Sequence, residues 1–146
     1  MSQDILQFQG PYRWLSNFAP VRIQGAQLVY PSVEHAYMSA KCDDMSWKYK
    51  CTESYTPAQI KKMSRGIRLR SDWATRKLVV MRAALELKYA QEPYKSLLLA
   101  TGDVRIQEGN YWNDKFWGVC LKTGLGENHL GNMIMEIRTK LLETLP

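Results

Sequence analysis

The sequence predicts a mainly helical α+β fold with one small β-hairpin, built as a single compact domain over residues 1–146. Three observations point there. Residues 129–143 carry Leu130, Ile134, Ile137 and Leu141 at i, i+4, i+7 and i+11, the apolar stripe of an amphipathic helix. Thr56-Pro57-Ala58-Gln59 supplies an N-cap, a proline at the first helical position and the glutamine of a capping box. Residues 21–30 alternate, turn at Gln24-Gly25 and return, as a hairpin does.

The other elements follow in chain order. Residues 5–8, ILQF, read as a short strand. Residues 12–20, YRWLSNFAP, form an aromatic and polar loop, with Trp14, Leu15 and Phe18 as anchors and Ser16 and Asn17 left to hydrogen-bond. Pro31 and Ser32 read as a turn and an N-cap, with Val33 opening a helix. A short helix is expected near 47–51. The helix after Thr56 runs to Arg65, with Gly66 past its end. Ser71 or Asp72 caps the longest helix, about 72–90, whose core face is expected at Val80, Ala84 and Leu87 with Leu78, Met81 and Leu85 beside them. Trp73 lies outside the densest part of that stripe. Glu92-Pro93 opens a helix closed by Gly102. Residues 103–108 read as a strand, and 109–118, GNYWNDKFWG, as a second aromatic loop. Residues 124–131, GLGENHLG, resemble a phosphate-cradling loop but lack the Walker Lys-Ser/Thr and do not match GxGxxG.

Composition narrows the class. Hydrophobic residues are 45% and charged residues 23%, ordinary for a soluble globular chain. The N-terminal MSQDILQFQGP has no basic region or long apolar run, so no signal peptide is expected. No stretch approaches the ~18 apolar residues of a membrane span. Cys42, Cys51 and Cys120 form no CxxC pair, which suggests reduced thiols in a cytoplasmic compartment. With His35 and His129 the only histidines, no metal site is expected. A net charge of +6 points to a phosphate-bearing partner, nucleotide or nucleic acid, though a merely basic surface fits it as well.

The stretch richest in chemistry is 30–41, YPSVEHAYMSAK. Glu34 falls at the second helical position, where the helix dipole favours negative charge, so it is expected to be ionised near neutral pH. Glu34, Met38 and Lys41 share a face. A carboxylate there suits a substrate that develops positive charge, and the plainer role is helix capping. Arg65, Arg68 and Arg70 could hold a pyrophosphate or be solvated surface. Trp73 could be a stacking platform or a packed residue. Asp114, among Trp112, Phe116 and Trp117, is either a turn former or a shielded acid.

Six stretches, LSNFAP, YPSVEHAYMSAK, RLRSDWATRKLVVMRAALELKY, LLATGD, EGNYWNDKFWGVC and GENHLGNMIMEIR, resemble in this order the NADAR or YbiA-like family of N-glycosidases. The resemblance runs from about Leu15 to Leu142. It implies a compact, mainly helical α+β domain that acts on N-glycosidic bonds. The family's substrates are phosphoribosylated riboflavin-pathway intermediates and ADP-ribose-linked compounds, ADP-ribosylated guanine in DNA among them. It places the family's acidic pair on Glu34 and Asp114, its tryptophan on Trp73, and polar residues on Asn17, Lys41 and Asn128. Several relatives carry an acid after the FWG tripeptide, where this chain has Val119, and Glu108 is then the alternative second acid.

Cleaving a ribosyl N-glycosidic bond passes through an oxocarbenium-like state. Glu34 is expected to stabilise that cation, and Asp114 to position water or a ribose hydroxyl. Trp73 would stack on the leaving heterocycle, while Lys41 with Arg68 or Arg70 neutralises phosphate. The scheme requires no cofactor. ADP-ribosyl substrates are favoured over riboflavin intermediates. The rival from another class is a binding module for ADP-ribose, against which the two carboxylates argue. A duplex-DNA reader finds no helix-turn-helix or zinc-finger pattern.

Overall fold

In the computed structural model, which describes residues 3–146, the chain forms two units. One is Asn17–Ala90, and the other joins the N-terminal segment up to Ser16 to Gln91–Pro146.

The Asn17–Ala90 unit begins with the expected hairpin. Strand β1 (Pro20–Gln24) pairs antiparallel with β2 (Val29–Ser32), Ile23 opposite Tyr30 and Gln24 opposite Val29. Gly25 N–H closes the turn on Leu28 C=O at 2.8 Å. Pro31 lies inside β2 rather than in a turn. It has no N–H to donate, and an edge strand tolerates that. Helix α1 (Val33–Ala40) follows with Ser32 as N-cap, its Oγ accepting from His35 N–H at 3.1 Å. The short helix after it is α2 (Met45–Lys50), capped by Asp44. Thr56 and Gln59 form both bonds of the capping box on α3 (Pro57–Met63), and a 3-10 turn at Ser64–Gly66 ends it. Helix α4 (Trp73–Tyr89) closes the unit.

Helix α1 is the centre of this unit, packed on α2, α3, α4 and the hairpin. Its buried residues are Val33, Glu34, His35, Tyr37, Met38 and Ser39, so only one side meets water. A helix so short leaves most of its end groups without an internal partner. Its neighbours supply them. Asn17 C=O accepts from Glu34 N–H at 3.0 Å. At the other end, Trp47 Nε1–H donates to Met38 C=O at 2.9 Å, and Lys48 Nζ to Ser39 C=O at 2.9 Å. Arg70 N–H donates to Lys41 C=O at 2.8 Å.

The buried face of α4 is Trp73, Met81, Ala84, Leu85, Lys88 and Tyr89. Leu87, expected in the core, is exposed, and so is Val79. Trp73, expected outside the stripe, lies on it and is buried.

In the second unit, the strands expected at 5–8 and 103–108 reduce to one parallel bridge between Ile5 and Ile106. Ile5 N–H donates to Arg105 C=O and Gln107 N–H to Ile5 C=O, both at 2.8 Å. Beyond that the Gln107 side-chain amide takes Leu6 C=O, and the chain turns into a 3-10 helix at Gly10–Leu15. Helix α5 (Tyr94–Ala100) ends at Gly102, whose φ of +65° explains the glycine. Strands β3 (Gly109–Asn110) and β4 (Val119–Cys120) pair in parallel around the second aromatic loop. Helix α6 (His129–Glu143) has the bounds its stripe indicated, with Leu130, Ile134 and Ile137 buried. Arg138 ties it to the region after α5, donating to Thr101 Oγ1 at 2.9 Å and Val104 C=O at 2.8 Å. No helix among the described residues is long and apolar enough to cross a membrane.

Candidate active site

Glu34 is 6% exposed at the second residue of α1. Burying a carboxylate is costly unless its surroundings compensate, and two features here do. The helix N-terminus presents its positive dipole end to the first turn. Lys41 shares the face, and the two side chains interact through their charges. Burial pushes the Lys41 ammonium below its ordinary value, the Glu34 charge pulls it back up, and Lys61 opposes that.

The neighbour of Glu34 is fixed as firmly. His35 Nε2 lies 2.7 Å from Tyr55 C=O, which only accepts, so Nε2 carries the proton. Burial holds His35 below its ordinary pKa against the pull of that carbonyl. The ring is therefore neutral, and Nδ1 accepts from Ser32 Oγ–H at 2.6 Å. Ser32 thus caps α1 and orients His35 with one hydroxyl.

Tyr37 links two expected site residues. Its ring centre is 5.1 Å from that of Trp73 at a 55° tilt, and Lys41 Nζ lies 5.5 Å above it. Trp73 is 8% exposed. Tyr37 was not among the expected site residues. Its spacing of four from Lys41 was the available signal. Asn17 donates from Nδ2 to Met81 Sδ at 3.5 Å, while its buried Oδ1 accepts no hydrogen bond among the described residues.

The arginines separate. Arg70 is held between two carboxylates, Asp43 at 2.7 Å and Asp72 through a two-bond fork at 2.9 and 3.1 Å. Asp72 spends its carboxylate there and makes no side-chain cap on α4. Arg68 is exposed and has no ion-pair partner among the described residues. It lines a groove of about 670 Å³ with Lys50, Asp43, Asp44 and Trp47.

In the second unit, one amide joins the two candidate acids. Asn110, 1% exposed, donates from Nδ2 to Glu108 Oε2 at 3.0 Å and to Asp114 C=O at 2.9 Å. Asp114 N–H returns a bond to Asn110 Oδ1 at 3.0 Å. Asp114 Oδ1 accepts from Phe116 N–H at 3.1 Å and Trp117 N–H at 2.9 Å, as a turn-forming aspartate does. Asn128 is 2% exposed and takes φ +53° as the residue before α6. Its Oδ1 accepts from Glu108 N–H and its Nδ2 donates to Ile106 C=O, each at 3.0 Å. Expected to meet substrate, Asn128 has both ends of its amide on the backbone beside Glu108. The sequence reading also passed over Asn110, although Asn110 and Asp114, four apart in a loop, are the spacing of a self-bonded turn. No cluster of three or more His, Cys, Asp or Glu among the described residues is placed to hold a metal ion.

The Asn17–Ala90 unit holds a buried acid on a helix N-terminus with a lysine on the same face, and the other unit holds two acids joined by one amide on a braced loop. Comparison with known proteins gives the class of the chain. Residues 6–142 match the NADAR domain, and the chain belongs to that family. N-glycosidase YbiA of Escherichia coli (strain K12) is 33% identical over 135 residues, covering 89% of this chain and 82% of the relative. The NMR structure of the E. coli protein YbiA matches with a TM-score of 0.83 at 31% identity, covering 98% of this chain and 88% of that one. A riboflavin biosynthesis protein of Vibrio vulnificus is 35% identical over 136 residues, 91% of this chain, which spans 36% of that relative's length. The class is that of hydrolases acting on N-glycosyl bonds.

Proposed function

We propose that this chain hydrolyses the ribosyl N-glycosidic bond of ADP-ribosylated substrates, ADP-ribosylated guanine among them. The observation that carries the chemistry is Glu34, a carboxylate 6% exposed at a helix N-terminus with Lys41 in its field. As the C1′–N bond breaks, its electron pair leaves with the base and positive charge grows on the ribose. Glu34 stabilises that charge. Water adds its oxygen to C1′, and its proton balances the departing base. Asp114, with one carboxylate oxygen spent on its own loop, and Glu108, linked to it by Asn110, are the two candidates to hold that water. Trp73 meets the heterocycle, and Asn17 Oδ1 accepts from a ribose hydroxyl. Lys41 and Arg68 neutralise phosphate, while Arg70 is spent on Asp43 and Asp72. Asn128 acts through Glu108. The exposed Arg65 and Arg68 and the +6 net charge favour a pyrophosphate over a single phosphate. Three free, buried cysteines suit a reducing cytoplasmic compartment.

A second reading is favoured by the name of the Vibrio vulnificus relative. In it the same site cleaves a phosphoribosylated riboflavin intermediate. The test is parallel incubation with ADP-ribosylated guanosine, ADP-ribosylated DNA and the riboflavin intermediates, with products read by mass spectrometry and kcat/KM compared. ADP-ribosyl substrates are expected to be cleaved better. A preference for the riboflavin intermediates overturns the proposal.

A further inference from the structure

Tyr111 and Trp112 crown the second aromatic loop with 60% and 61% of their surfaces exposed. Two adjacent large rings in water are unusual on a soluble protein. The loop beneath them is tightly held. Asn110 and Asp114 exchange two hydrogen bonds across its base, and Asp114 takes the N–H groups of Phe116 and Trp117. Lys115 C=O accepts from Glu127 N–H at 2.7 Å, and Trp117 C=O from Leu130 N–H at 3.0 Å. Asn113, at φ +65°, completes the bend. The rings are thus presented on a fixed backbone, so a ligand meets them at little ordering cost. Lys115 on the same loop and Lys122 on the next are both exposed.

We propose that Tyr111 and Trp112 stack on unpaired bases flanking the adduct in a single-stranded nucleic-acid substrate. Aromatic rings beside free cations, on a chain of net charge +6, match a strand that alternates bases with phosphates. The adenine of the adduct itself would call for an enclosed site, and these rings stay open to water. The inference rests on the proposed function only in taking the strand to carry the adduct.

The experiment compares wild type, Trp112→Ala and Trp112→Phe. It measures binding of an unmodified single-stranded oligonucleotide by fluorescence anisotropy, and kcat/KM on ADP-ribosylated oligonucleotide and on ADP-ribosylated guanosine. Trp112→Ala is expected to weaken oligonucleotide binding roughly 5- to 100-fold, the worth of one base stack. The strand-to-nucleoside ratio of kcat/KM should fall by a similar factor, and Trp112→Phe should restore most of both. Absence of oligonucleotide binding by wild type, unchanged binding in Trp112→Ala, or an equal loss on both substrates overturns the inference. Strand binding that depends on Trp112, with neither adduct cleaved by wild type, sustains it and sinks the proposed function instead.

Discussion

Glu34 and Glu108 differ in burial, Glu108 being half-buried with Oε2 accepting from Asn110 Nδ2 at 3.0 Å. Glu34 is buried on a helix terminus, where shape and charge are separable. Glu34→Gln keeps the volume, removes the charge and exchanges one acceptor oxygen for an N–H donor. Its expected outcome is a folded protein with turnover reduced by at least ~10²-fold, the floor for loss of a general acid–base group. Thermal unfolding checks the fold and steady-state kinetics the rate. Activity above about a tenth of wild type would remove Glu34 from the role of cation-stabilising carboxylate. This residue was legible in the sequence because Pro31-Ser32 marks the cap and thereby numbers the helix. Asn128 and Arg70 were less so. A motif shows a polar side chain without its partners, and these two spend their donors on a buried backbone and on Asp43 and Asp72.

Helices were read well where a cap announced them and less well where only hydropathy did. The α6 stripe gave true bounds, while the Thr56 box gave the start of α3 but not its end, expected at Arg65 and found at Met63 before a 3-10 turn. The face of α4 was placed a step away, because Lys88 counts as polar in any periodicity and is 0% exposed. Once Lys88 is counted as inward, Trp73, Met81, Ala84 and Lys88 form one stripe. The Ile5 and Ile106 strands were overread because side-chain amides and carboxylates replace the ladder beyond one bridge. Lys88 also yields a prediction for its helix. Burial pushes its ammonium down to about 7, with Nζ 5.2 Å from the Tyr89 ring centre. The unfolded chain keeps that proton to about 10.4. Between these values the unfolded state binds more protons, so stability rises with pH and is lost as pH falls toward 7, by a few kcal/mol over the window. Lys88→Met should flatten that rise, read from urea unfolding at pH 7 and pH 9.5. Equal slopes in the two proteins would show that Lys88 stays protonated when folded.

At the scale of the whole chain, twenty Lys and Arg stand against fourteen Asp and Glu. Exposed cations such as Arg65 and Arg68 act through a field screened within about 8 Å at physiological ionic strength. ADP-ribosylated DNA should therefore lose affinity more steeply with salt than ADP-ribosylated guanosine, since it presents more phosphates. The measurement is the slope of log KM against log salt for each. Equal slopes would mean that only the adduct is held.

One feature of the second unit bears on how such proteins are recognised at all. A side chain at Gly118 would strike Glu108, one at Gly126 the Gly118–Val119 backbone, and one at Gly131 Ile106 C=O and the Asn128 amide. Those positions are glycine because the backbones touch, whether or not any bond is ever hydrolysed. The FWG and GENHLG signatures therefore diagnose a scaffold. A sequence could lose Glu34 and still match them in full. If Glu34 carries the proposed role, sorting working enzymes from silent copies rests on the acid at the start of α1.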